Sequence, residues 1–153
     1  MEDAGNFIDA YFLRFPKVKD YIEEQIIKAK KLGYVATILG RRRYIPDINN
    51  KNQAIRQFAE RQAVNTPIQG SASDLIKLAM VEIHANLKNK NLKAKMIMQI
   101  HDELVFDVAI SELNQLQDLI RDRMENVLKL DVPIKVDIKK GANWLEMKPM
   151  EER

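Results

Sequence analysis

Two apolar runs of strand length stand only three residues apart between Met96 and Phe106, and this spacing leaves the segment little choice of shape. In the first run Met96, Met98 and Ile100 alternate with Ile97 and Gln99. In the second, Leu104, Phe106 and Val108 alternate with Val105 and Asp107. Period-two alternation marks half-buried strands. The pattern predicts a hairpin with His101, Asp102 and Glu103 at or beside its tip.

Those three polar residues carry the first chemical suggestion. Ionised side chains between apolar runs cost several kcal/mol of desolvation, on the order of a lost buried hydrogen bond or more, unless something offsets it. Two abutting carboxylates each raise the pKa of the other unless a cation is near. A hard divalent metal resolves both problems, since it takes oxygen ligands and often only one or two carboxylates plus substrate phosphates. An acidic metal-binding turn fits this segment. So does a solvated turn in which Asp and Glu merely keep the tip polar.

The chain has 153 residues, 46% hydrophobic and 31% charged, enough for a domain with a real core and unlike a disordered segment. Cys is absent, which excludes a disulfide framework, a thiolate zinc site and a Cys nucleophile. No apolar run approaches membrane-spanning length, and the first residues lack the basic and apolar regions of a secretory signal. A cytoplasmic protein with no membrane partner is expected. Net charge is +3, but Lys28 to Arg56 holds eight basic residues (Lys28, Lys30, Lys31, Arg41, Arg42, Arg43, Lys51 and Arg56) against one acid, Asp47. That block of +7 leaves −4 for the remainder. A polyanion met by one face suits this asymmetry, as does an ordinary solvated surface.

Helical spacing of Phe7, Ile8, Tyr11 and Phe12 predicts a short amphipathic helix over Asp3 to Arg14. A second helix is expected from Pro16, with Val18, Tyr21, Ile22, Ile26, Ala29 and Leu32 as its buried stripe and Gly33 at its end. Residues 34–38 and 43–45 read as short strands around a turn at Gly40. From about Asn52 to Lys88 the pattern is helical, with Ala54, Phe58, Ala63, Ile68, Leu75, Ile76, Ala79 and Ile83 as apolar positions and a kink or restart at Pro67. Ser111 is expected to cap a helix whose core side is Leu113, Leu116, Ile120, Met124, Val127 and Leu128. Ile134, Val136 and Ile138 form one face of a last strand. The sum is an α+β fold in which helices cover one face of a small antiparallel sheet.

Arg61, Asn65 and Gln69 are spaced by four, so they share an arc of roughly 80° on one helix face. Arg is a natural phosphate and base-edge donor, and Asn and Gln both donate and accept. Such side chains can check base-pair geometry in a minor groove, where the acceptors are common to all pairs. The same stripe also suits plain exposure to solvent.

Three segments in order now point further: Gly33-Tyr-Val-Ala-Thr-Ile-Leu-Gly-Arg-Arg-Arg-Tyr-Ile-Pro46, Ala59-Glu-Arg-Gln-Ala-Val-Asn-Thr-Pro-Ile-Gln-Gly70 and Gln99-Ile-His-Asp-Glu-Leu-Val-Phe106. Together they strongly resemble the C-terminal part of family A DNA polymerases, the DNA polymerase I type. Agreement runs from about Phe7 to Gly141-Ala-Asn-Trp144. The resemblance implies template-directed nucleotidyl transfer by a two-metal Mg²⁺ mechanism, with primer-template DNA and deoxynucleoside triphosphates as partners and a bacterial-type, nucleoid-associated setting.

Position by position, the resemblance makes Asp102 the catalytic metal-binding aspartate, Glu103 its supporting carboxylate and His101 the residue near the primer terminus. Arg61, Asn65 and Gln69 match positions that contact template and primer, and Arg41, Arg42 and Arg43 lie in the fingers region, where phosphate contact is expected. Residues 1–53 become the end of the fingers and 54–153 part of the palm. The family's first catalytic aspartate and its triphosphate-binding helix belong to upstream segments that this sequence does not contain. The Mg²⁺ site is therefore only partly supplied, and the isolated chain is expected to be inactive. Two other functions remain open: a nucleic-acid-binding relic of a palm that has lost its chemistry, and a metal-dependent phosphodiesterase built on His101, Asp102 and Glu103. His84 is expected to be structural or exposed, and Trp144 to pack the C-terminal tail.

Overall fold

Proline and glycine punctuate the first half of the chain. α1 (Glu2–Arg14) gives way to α2 (Pro16–Leu32), with Pro16 in the first turn, where its missing N–H has no helical partner to lose. Gly33 follows at φ +76° and donates its N–H to the Ala29 carbonyl at 2.8 Å, which closes α2. β1 (Tyr34–Ala36) and β2 (Arg42–Tyr44) then pair antiparallel, Tyr34 opposite Tyr44 and Ala36 opposite Arg42. Gly40 turns the chain between them at φ +81°. A 3-10 turn over Pro46–Asn49 leads to the 37-residue α3 (Gln53–Asn89). Asn52 caps it: its Oδ1 accepts from the Ala54 N–H at 2.9 Å.

This computed structural model describes residues 2–150. Its contacts divide into two compact units, one reaching Ser71 and one beginning at Ala72, so α3 lends its first half to one and its second half to the other. The first unit buries Ala29, Val35, Ile45, Ile48, Ala59 and Ala63. Alanines on both helices allow close approach, and Tyr21 of α2 donates to the Val64 carbonyl of α3 at 3.1 Å. Lys30 and Glu60 add an ion pair at 2.9 Å.

In the second unit, Ala79, Ile83 and Leu87 of α3 pack with Ala94 and with Leu116, Leu119 and Ile120 of α4 (Leu113–Glu125). The hairpin of β3 (Lys95–Ile100) and β4 (Glu103–Asp107) lays Met96, Leu104 and Phe106 on that cluster. Removing a side chain such as Ile83 from water stabilises the unit by about 1.5–3 kcal/mol. The α+β architecture is the one expected, built as separate two-stranded antiparallel sheets beside helices. Among the described residues no helix is long and apolar enough to cross a membrane.

Several local expectations need correction. Phe7, Ile8 and Tyr11 do form a helix, but all three are exposed, as are Val18 and Leu32 on α2. Phe58 and Ile68 of α3 are also exposed, and the buried α3 positions in the first unit's cluster are Ala59 and Ala63. Of the kink or restart expected at Pro67 the restart does not occur, α3 being continuous through it with the Ser71 hydroxyl donating to the Pro67 carbonyl. Ser111 caps nothing. It lies in a 3-10 turn, Ile110–Glu112, and the neighbouring Glu112 carboxylate instead accepts from the Lys93 and Ala94 N–H groups at 2.9 and 3.1 Å.

The expected strand at 134–138 is an extended segment without a ladder. Ile134, Val136 and Ile138 are half-buried while Lys135 and Asp137 are exposed, so the alternation holds. Side chains of α4 take the backbone groups that a partner strand would have used: Arg121 donates to the Val136 carbonyl, and Glu125 accepts from the Val136 N–H, both at 3.0 Å. The Met150 N–H donates to the Ile138 carbonyl at 2.8 Å, and just after it a ladder forms at β5 (Lys139–Lys140) with β6 (Lys148–Pro149). Between these, Asn143 caps a 3-10 turn at Trp144–Glu146, and Trp144 is half exposed rather than packed. His84 is exposed on α3.

Candidate functional site

The acidic tip is built by the tightest hairpin a chain can make. Ile100 pairs with Glu103, so His101 and Asp102 are its two loop residues and Glu103 opens β4. Two-residue loops demand left-handed backbone, and His101 supplies it at φ +50°. Gln99 secures the turn, its Nε2 donating to the His101 carbonyl at 2.8 Å.

A bulge between Met96 and Met98 changes the faces of β3. Met98 pairs with Val105 and Gln99 with Leu104, so Gln99 rather than Met98 shares the face of Leu104. The alternation in the sequence is unbroken, but one extra residue shifts every later side chain to the opposite face. Gln99 is thereby brought to the base of the tip, a role that period-two reading hides.

His101, Asp102 and Glu103 are all exposed. Neither carboxylate forms an ion pair among the described residues, and no group of three or more His, Cys, Asp or Glu side chains converges there or elsewhere among them. Two adjacent carboxylates without a protein counter-charge are a partial ligand set. They suit a hard cation that completes its shell with water and phosphate oxygens.

On α3, in the first unit, Arg61, Asn65 and Gln69 are exposed along one face. The Arg61 guanidinium lies 5.8 Å from the centre of the Phe58 ring, a cation–π contact that lays it along the helix. Polarity alone makes Phe58 a core residue, whereas its spacing of three from Arg61 is the sequence signal of this contact.

The three arginines at 41–43 do different work. Arg41 donates through Nη2 to the Gly70 carbonyl and Arg43 through Nη1 to the Thr66 hydroxyl, each at 3.1 Å, so both tie the β1–β2 ribbon to α3. Arg42 sits over the Tyr34 ring at 4.7 Å. Gly70 permits this closeness, for a Cβ there would stand 2.6 Å from Thr37 Cγ2. The ribbon turn is further held by the Ser71 hydroxyl, which accepts from the Ile38 N–H at 2.9 Å.

Residues 1–146 match the model of DNA polymerase family A. DNA polymerase I of Bacillus subtilis (strain 168) is 50% identical over 147 residues, which is 96% of this chain and 17% of that protein. DNA polymerase I of Bacillus caldotenax is 47% identical over the same shares of each. Among solved structures, the POL domain of Pol1 from M. smegmatis, in complex with DNA primer-template and dNTP, superposes with a TM-score of 0.86 at 43% identity, covering 88% of this chain and 24% of that one. The chain thus spans about a sixth of the length of these curated relatives.

Proposed function

The chain belongs to DNA polymerase family A, and on that footing we propose that it supplies part of a DNA-directed DNA polymerase, a nucleotidyltransferase that extends a primer along a template. The observation that carries this reading is the His101–Asp102 loop, which displays two adjacent, uncompensated carboxylates at the end of a packed hairpin. Asp102 is the metal-binding carboxylate and Glu103 its support. His101 sets the turn through its left-handed backbone and presents its ring where a primer terminus is expected. Mg²⁺ suits this oxygen-only set, and when bound such an ion holds phosphate charge and steadies the attacking and leaving oxygens.

Arg61, Asn65 and Gln69 meet the duplex along its minor groove, where acceptors common to every base pair allow contact without sequence preference. Arg41, Arg42 and Arg43 add positive charge for phosphates, with Arg42 the one not tied to α3. Residues 1–53 are the end of the fingers and 54–153 part of the palm. Deoxynucleoside triphosphates are the second substrate, and groups from the rest of a longer polymerase complete the metal clamp. The isolated chain therefore extends no primer.

Binding tests the DNA half of this proposal. Fluorescence anisotropy should show weak, sequence-independent binding to primer-template duplex, with log affinity falling linearly against log salt as counterions are released. Equal affinity for a duplex with a neutral backbone would contradict it.

A further inference from the structure

The β1–β2 ribbon uses only one of its faces inside the first unit. Val35 on that face is buried, and Arg43, its cross-strand partner, reaches the Thr66 hydroxyl of α3. Tyr34, Arg42 and Tyr44 alternate to the other face. There the register assembles them: the Tyr34 and Tyr44 rings stand edge to face at 5.8 Å, and the Arg42 guanidinium lies 4.7 Å from the centre of Tyr34. Tyr44 is 70% exposed. The cross-strand partner of Arg42 is the small Ala36.

Here exposed aromatic surface is joined to a positive charge in the most basic stretch of the chain. A phosphate-bearing ligand with flat faces fits both properties. We propose that this outer face is a stacking platform for the unpaired bases of single-stranded DNA, Tyr44 and the Tyr34–Arg42 pair receiving bases and Arg42 their phosphates. Every base has a π-face, so the platform is indifferent to sequence. The inference rests on the DNA reading above, but it assigns a different surface and a different form of the ligand from the Arg61, Asn65 and Gln69 helix face.

The test uses the full chain and three fluorescent probes in anisotropy titrations at one low salt concentration. These are a single strand of about 12 nucleotides, within the usual span of such sites, an abasic strand of the same length and charge, and a blunt duplex. The unsubstituted protein should bind the intact strand at least about fivefold more tightly than the abasic one, the low end of base–aromatic stacking. Tyr44→Ala should bring the intact strand down to the abasic level, Tyr44→Phe should not, and neither should change duplex affinity. Equal affinity for intact and abasic strands overturns the platform, and this comparison needs no variant to fold. So does a Tyr44→Ala effect that is equal on strand and duplex. Failure of the duplex to bind counts against the helix-face reading instead, and leaves the strand comparison to judge the platform.

Discussion

Gly70 lies within α3, where alanine is ordinarily the better residue by about 1 kcal/mol. Its substitution should nevertheless destabilise this protein. A Cβ at position 70 would meet Thr37 Cγ2 at 2.6 Å and Arg41 Nη2 at 3.4 Å. Thr37 is only 6% exposed, and its Oγ1 accepts from the Arg41 N–H at 3.1 Å, so rotating the methyl away breaks that bond. Overpacking of this kind costs about 1–3 kcal/mol. Disturbing the Arg41 bond to the Gly70 carbonyl adds about 0.5–1.5 kcal/mol. Against the helical gain, Gly70→Ala should lose about 0.5–3.5 kcal/mol overall.

Thr37→Ser removes the obstructing methyl, keeps the hydroxyl, and by itself costs about 0.8 kcal/mol. In that background Gly70→Ala should be neutral or stabilising by up to about 1 kcal/mol, a coupling of about 2 kcal/mol between the two sites. Guanidinium denaturation of the four proteins, followed by far-UV circular dichroism, measures this directly. Additive effects, or a Gly70→Ala variant that stabilises the parent by its full helical propensity, would refute the close approach of ribbon and helix.

Two further outcomes follow from burial. Ile83→Ala, at a fully buried position between α3 and α4, should lower stability by about 2–5 kcal/mol in the same denaturation assay. Burial raises the Tyr21 phenol above its ordinary 10.0, so the folded protein holds this proton more tightly than the unfolded chain does. That contribution is full below about pH 10 and is lost as pH rises through the folded value, so alkaline denaturation profiles should fall less steeply for Tyr21→Phe than for the parent.

Element types were legible where local punctuation and packing agree. Pro16, Gly33 and Gly40 stand where the sequence put them because a helix start, a left-handed cap and a turn each need those residues. The place of His101, Asp102 and Glu103 at a hairpin tip was legible for a related reason, since three polar residues between two strand-length runs suit a turn. Their catalytic roles come only from the resemblance to family A polymerases. What stayed hidden depends on partners distant in sequence. The bulge that moves Gln99 to the face of Leu104 leaves alternation intact on paper. Residues 134–138 look like a strand, but Arg121 and Glu125 satisfy their backbone groups. Phe58 reads as core by polarity alone, while its position beside Arg61 reflects the other side of the helix. The separate tasks of Arg41, Arg42 and Arg43 follow from a register that composition does not reveal.

The central claim is that Asp102 is the metal-binding carboxylate of a polymerase site. It is tested most directly in a chimera of Bacillus subtilis DNA polymerase I that carries this chain in place of its matching segment. Single-turnover primer extension and primer-template affinity are measured for the chimera and for its Asp102→Asn and Glu103→Gln variants. Removing the ligand charge from Asp102 should slow nucleotide addition by at least about a hundredfold with DNA affinity unchanged, and Glu103→Gln should be milder. An Asp102→Asn chimera that extends primers within about threefold of its parent, well inside the loss expected for a metal ligand, would contradict the assignment and favour a DNA-binding module without chemistry.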